Sequence, residues 1–317
     1  MEFRKLISFG KTSYVMSVPK SWIQKNNLKK GSLVSIEEKE GNLVLSPNSD
    51  NKNTLEKIEL NVTDLNPMVK RIIASFYKGG YDEMEIRFST SDELKSIQQV
   101  IKDSFVGFEI VEQGKRMCRV KKISDTIYEE FDPVLRRTFL FLKSMASESL
   151  DAIKKKDIDA LRNVILADHN VNKFTDFCRR VINLKSDLKF RKVAPIYYVL
   201  EELEKIGDEY KDLCKYFIKN PAKLSKELIK LYEKVNEYLN ALYDLFYKFD
   251  LKKIKVLGEQ KTKLDQEIEE LYSKKSKVEC RILFFLNIII NRIFHSNGAI
   301  MASIYHPSSA TLSTTSS

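Results

Sequence analysis

The spacing of apolar residues changes character twice along this 317-residue chain. Over the first 47 residues it is short-period. Tyr14-Val15-Met16-Ser17-Val18 is rich in strand formers, Pro19 opens a single helical turn through Ser21-Trp22-Ile23, and Leu28-Lys29-Lys30-Gly31 turns the chain back. Ser32 to Glu37 and Asn42 to Ser46 read as two further strands with Glu40-Gly41 at the hairpin tip. Four short strands and one helical turn bury little alone, so this segment is expected to dimerise, with Trp22 as its core anchor.

After a polar linker at 47–55 the pattern predicts a small α+β domain of order βαβαββ over 56–125. Its strands lie near Ile58 to Val62, Met84 to Phe88, Phe108 to Val111 and Met117 to Val120. The first helix should be capped by Asp64 or Asn66, with Pro67 in its first turn, and stopped by Gly79-Gly80; the second starts at Ser91-Asp92-Glu93. From about Asp132 apolar residues recur at three and four spacing, as in Leu161, Val164, Ile165, Val171, Phe174 and Phe177. Breaks near Lys156-Asp157, Ser186-Asp187, Asn220-Pro221, Phe249-Asp250 and Ser273 divide this stretch into six helices, which group as two sets of three over 126–305. The Ser/Thr-rich end at 306–317 reads as a disordered tail. The fold class is therefore mainly α, with a β-rich start and a small α+β domain between.

Composition is globular, at 43% hydrophobic and 31% charged, and only 17 residues are Gly or Pro, which suits long helices. Four cysteines, Cys118, Cys178, Cys214 and Cys280, without a C-x-x-C pair, point to reduced thiols and a cytoplasmic protein. The net charge of +10 is uneven: +4 over residues 1–47, zero over 48–125 and +6 over the rest, so both flanks could meet an anionic partner such as nucleic acid or a membrane surface. Lys11 interrupts the start before an apolar core of signal-peptide length, and the longest apolar run, Ile282 to Ile290, is broken by Asn287. That run is far short of the roughly 18 residues of a membrane span, so no membrane insertion is expected. With three scattered His and no G-x-S-x-G, P-loop or G-x-G-x-x-G, the chain is expected not to be an enzyme.

The chemistry with most content is acidic. In the third helix of the first set, Glu204 and Asp208 stand one turn apart on one face, and in the preceding helix Asp168 and Asn172 have the same spacing. Like charges at that spacing repel by on the order of 0.2–0.5 kcal/mol unless a cation sits between them. Two adjacent helices each offering two oxygen ligands would make a hard-metal site. The competing reading is a solvated acidic face with Lys205 and Lys211 as neighbours.

Asp157-Ile158-Asp159-Ala160-Leu161, Asp168-x-x-x-Asn172 and Leu203-Glu204-Lys205-Ile206-Gly207-Asp208 resemble the PhoU phosphate-uptake regulators, whose repeats carry D-x-x-x-D and E-R-I-G-D motifs. Gly10-Lys11-Thr12-Ser13, Val18-Pro19-Lys20-Ser21-Trp22 and Leu28-Lys29-Lys30-Gly31 resemble a SpoVT/AbrB swapped-hairpin domain, and the fusion resembles the archaeal type of PhoU-like regulator. The resemblance covers residues 3–47 and about 130–303. It implies a PhoU-like bundle of two three-helix repeats and a metal ion, iron, zinc or another divalent ion, on Asp168, Asn172, Glu204 and Asp208, with Asn172 one charge short of the usual carboxylate. In the second repeat Glu259-x-x-x-Lys263 and Asn291-Arg292-Ile293-Phe294-His295 stand in the corresponding places, and a Lys ammonium cannot ligate, so that repeat is expected to be structural. His169 should point away from the acidic face, His295 should cap a bundle face, and His306 lies in the tail.

For the N-terminal segment the resemblance implies a homodimer whose basic loops face DNA, through Arg4, Lys5, Lys11 and Lys20 with Thr12 and Ser13 on phosphate oxygens; the alternative is a dimerisation module with a solvated basic rim. Two functions follow. One is a regulator of phosphate uptake or phosphate-responsive transcription that binds DNA, or docks on a phosphate transporter or phosphate-signalling protein, or both. The other is an adaptor that docks its bundle on a transporter or kinase and never touches DNA.

Overall fold

The computed structural model describes residues 3–39, 42–47, 56–124, 130–184 and 192–304. It divides into two compact units, Met1–Leu55 and Glu56–Ser317. In the first, β1 (Ile7–Phe9) pairs antiparallel with β2 (Ser13–Val15), placing Ser8 opposite Tyr14. After the short helix α1 (Lys20–Lys25), β3 (Val34–Lys39) pairs with β4 (Asn42–Pro47), placing Ile36 opposite Leu45. The hairpin tip expected at Glu40-Gly41 lies outside the described residues. Gly10 sits at φ 72° in the turn between β1 and β2, a left-handed conformation that glycine adopts without steric cost.

None of the described residues of this unit is buried. Trp22 is half-buried within the single chain. Ile7, Phe9, Tyr14, Leu33, Ile36 and Leu43 are all exposed instead.

The second unit opens with a four-stranded sheet of order β5-β6-β8-β7, built from β5 (Lys57–Asn61), β6 (Glu83–Arg87), β7 (Phe108–Gln113) and β8 (Met117–Lys122). β5 and β6 run parallel, which requires the crossover helix α2 (Val69–Gly79); the remaining neighbours are antiparallel. With α3 (Ser91–Ser104), the sheet encloses a core that includes Ile73, Tyr77, Ile86, Ile97 and Val120.

The predicted cap of α2 is corrected. The helix follows Met68 with no side-chain cap, while Asp64 sits at φ 60° and donates its N–H to Glu93 Oε1 at 2.6 Å. Glu93 also accepts from the N–H groups of Ser89 (2.7 Å) and Thr90 (2.9 Å), and Thr90 Oγ1 accepts in return from Glu93 N, a reciprocal capping box. The Ser89 and Thr90 bonds bring its carboxyl down to about 2 against the opposing effect of burial. A depressed carboxyl stabilises the fold above its unfolded value and loses that contribution as pH falls through the folded one. Wild type should therefore lose stability between about pH 5 and pH 2, and Glu93→Gln should flatten that part of a urea-midpoint profile. Parallel profiles would remove Glu93 from this role.

Six helices complete the unit: α4 (Phe131–Lys155), α5 (Ile158–Leu184), α6 (Val193–Lys219), α7 (Lys226–Tyr247), α8 (Leu251–Tyr272) and α9 (Lys277–Ile304). Their ends follow the predicted breaks for local reasons. Lys156 closes α4 at φ 56°, Asp157 accepts from Ala160 N at 2.9 Å, and Asp250 accepts from Lys252 N at 2.9 Å. The Ser186-Asp187 break and the 306–317 tail lie outside the described residues. Among the described residues no helix is long and apolar enough to cross a membrane. The α+β segment and the bundle have separate cores, and α2 and α3 pack on α5 within the one compact unit.

Candidate functional site

The helical period stacks Asp168, Asn172, Thr175, Asp176 and Arg179 along α5, facing Glu201, Glu204, Asp208 and Lys211 of α6. Gly207 sets how closely the helices approach. A Cβ there would lie 3.2 Å from Asp168 Oδ1 and 3.2 Å from Val171 Cγ1, so a larger residue would push α5 outward.

The four predicted ligands separate into two groups, each centred on a basic side chain. Lys211 Nζ donates to Asp168 Oδ2 at 2.8 Å and also pairs with Asp208. Asn172 Nδ2 donates to the same Asp168 oxygen at 3.2 Å, so the amide turns its donor end, not its oxygen, to the carboxylate. Glu204 instead binds Arg179 Nη2 at 2.5 Å and accepts from Thr175 Oγ1 at 3.2 Å. Arg179, almost wholly buried, also donates to Asp176 at 2.8 Å and to the Leu200 carbonyl at 3.3 Å, with Glu201 3.0 Å from its Nε. Among the described residues no three His, Cys, Asp or Glu side chains gather as a metal-ligand set.

The electrostatics follow this pairing. Burial raises the Asp168 carboxyl, opposed by Lys211, and pushes Asp176 up to about 6, opposed mainly by Lys78. Burial also works against the charges on Lys211 and Arg179, but their carboxylate partners outweigh it and raise both. Lys211 thus follows the reading that placed it beside the acidic pair. That face is not simply solvated, however, because Asp168 is only 3% exposed.

Sequence reasoning missed Thr175, Asp176, Arg179 and Arg180. The available signal was a pair of arginines inside the apolar run Phe177-Cys178-Arg179-Arg180-Val181-Ile182, where charges remain only if paired. Arg180 donates to the carbonyls of Tyr77 (2.8 Å) and Tyr81 (2.7 Å) and to Asp82 (2.7 Å), with its guanidinium over the rings of Phe108 and Tyr77. Lys78, 3.4 Å from Asp176, adds a second link, so paired charges run from the α+β segment through α5 to α6.

In the second repeat, Glu259 and Lys263 are exposed, Asn291 donates to the Asn287 carbonyl, and Arg292 reaches Glu202 of α6 at 3.4 Å. His169 is exposed; His295 is exposed with its ring centroid 6.4 Å from that of Phe294, and His306 lies outside the described residues. Arg4, Lys5, Lys11, Thr12, Ser13 and Lys20 are all exposed in the first unit, with Lys11 and Thr12 in the turn between β1 and β2.

Residues 135–217, which run from α4 through α6, match the model of the PhoU domain. That match spans the first helical repeat. A second model, described as antidote-toxin recognition MazE, bacterial antitoxin, matches residues 8–53, within the first unit. No curated protein matches the chain. Among solved structures, the phosphate transport system regulatory protein PhoU from Streptococcus pneumoniae is similar at 20% identity, covering 55% of this chain and 93% of its own with a TM-score of 0.44. A PhoU-like protein from Shewanella oneidensis MR-1 is similar at 13% identity, covering 54% of this chain and 96% of its own with a TM-score of 0.39.

Proposed function

We propose that this chain regulates phosphate uptake or phosphate-responsive transcription in the cytoplasm, the helical bundle docking on a transport or signalling partner and a dimer of the first unit holding DNA. The observation that carries the reading is the PhoU-domain match over residues 135–217, on a chain whose residues 8–53 match an antitoxin model. The exposed apolar side chains of a unit with no buried residue among those described support pairing with a second copy of the chain. The +4 charge over residues 1–47 supports binding to phosphates, which would position the dimer without specifying a sequence.

A strain lacking the protein should take up phosphate at an altered rate under limitation or excess. For the DNA arm, replacing Arg4, Lys5 and Lys11 by Ala should weaken duplex binding at low salt, lowering the slope of log affinity against log salt by about 0.9 for each DNA phosphate that is no longer neutralised. Normal uptake in the deletion strain would sink the phosphate role. Unchanged affinity and slope would instead leave an adaptor that works through its bundle without DNA.

A further inference from the structure

We propose that Lys211 and Arg179 are the resident cations of the α5–α6 carboxylate face, so that this repeat is held together by its own side chains and takes up no divalent metal there. The inference concerns the repeat alone and stands whether or not the chain acts on phosphate uptake. A divalent ion on Asp168 and Asp208 would have to sit about 2.0–2.6 Å from their oxygens, in the space the Lys211 ammonium fills. Lys211 Nζ is 2.8 Å from Asp168 and is shared with Asp208, so an incoming dication meets a fixed like charge. Glu204 is out of reach as a further ligand, because its carboxylate is held by Arg179 at 2.5 Å and by Thr175.

Two buried oxygens of this face have no hydrogen-bond partner among the described residues, and they do not reopen the site. Asp168 Oδ1 faces Gly207, where even a methyl group would stand 3.2 Å away, so helix packing closes that side. Asn172 Oδ1 is the end of the amide turned from Asp168, since Nδ2 makes the bond to that carboxylate. Arg179 is in turn held by Glu204, Asp176 and Glu201 together.

Calorimetric titration of the full-length protein with Mn2+ tests the proposal. Wild type and Asp208→Asn should take up Mn2+ alike, with no Asp208-dependent site in either. Lys211→Met removes the charge but keeps most of the volume, and it should gain one site, tightening Mn2+ binding by on the order of 100-fold. Adding Asp208→Asn should abolish that gain, and Lys211→Arg should behave as wild type. Saturable Mn2+ binding by wild type that disappears in Asp208→Asn overturns the proposal, as does a folded Lys211→Met that gains nothing. If circular dichroism shows Lys211→Met unfolded, the comparison of wild type with Asp208→Asn decides by itself.

Discussion

Arg180→Met should lower the unfolding free energy of the second unit by about 3 kcal/mol, the low end of the roughly 3–5 kcal/mol seen when one partner of a buried ion pair is removed. The methionine restores bulk over Tyr77 and Phe108, so the loss falls on the polar partners. The carbonyls of Tyr77 and Tyr81 are deprived of a charged donor at the end of α2, and Asp82 of its guanidinium partner at 2.7 Å. Asp82 keeps Lys122 at 3.3 Å, which is why the low end applies. Urea denaturation followed by circular dichroism gives the magnitude. Hydrogen exchange should show protection disappearing first at the C-terminal end of α2, next to the missing fork. A midpoint equal to wild type would mean that packing of α2 and α3 on α5 alone joins the two cores.

If the first unit pairs two copies as proposed, removing residues 1–55 should convert a dimer to a monomer while leaving the helical circular dichroism intact. The cut falls between the two compact units, and both hydrophobic cores lie beyond it. What is removed is a set of strands whose apolar side chains, Ile36 at 65% and Leu43 at 68% exposure among them, find no cover within one chain. Light scattering reads the result directly, and a truncated protein that stays dimeric would move the interface to the second unit.

The helix ends were legible because they are local. Asp157 and Asp250 bond backbone N–H groups two or three residues away, so residue type and position already contain the signal. The start of α2 was not legible, because the group that captures the Asp64 N–H is Glu93, delivered by α3 from 29 residues further on. The acidic face shows the same division. Spacing correctly put Asp168 and Asn172 on α5 and Glu204 and Asp208 on α6, but a helical wheel does not say what fills the gap between two wheels. There Lys211 and Arg179, each three residues from a carboxylate of its own helix, reach across and divide the set in two. The union of the α+β segment with the bundle escaped for a related reason: Arg180 interrupts an apolar run, and its partners lie about a hundred residues earlier in the chain.

The packing of α6 on α9 bears on how this protein can vary. Glu202, almost fully buried in the first repeat, takes Arg292 from the second as a countercharge, and Tyr216 rests against Phe285 across the same seam. A segment cut at residue 217 would carry Glu202 and the apolar side of α6 into water without that cover. The stretch that is recognisable by sequence is therefore smaller than the piece that can fold. Exchanging one repeat for a relative's would fail unless the seam were exchanged with it, and substitutions at 202 and 292 should be tolerated together more readily than singly.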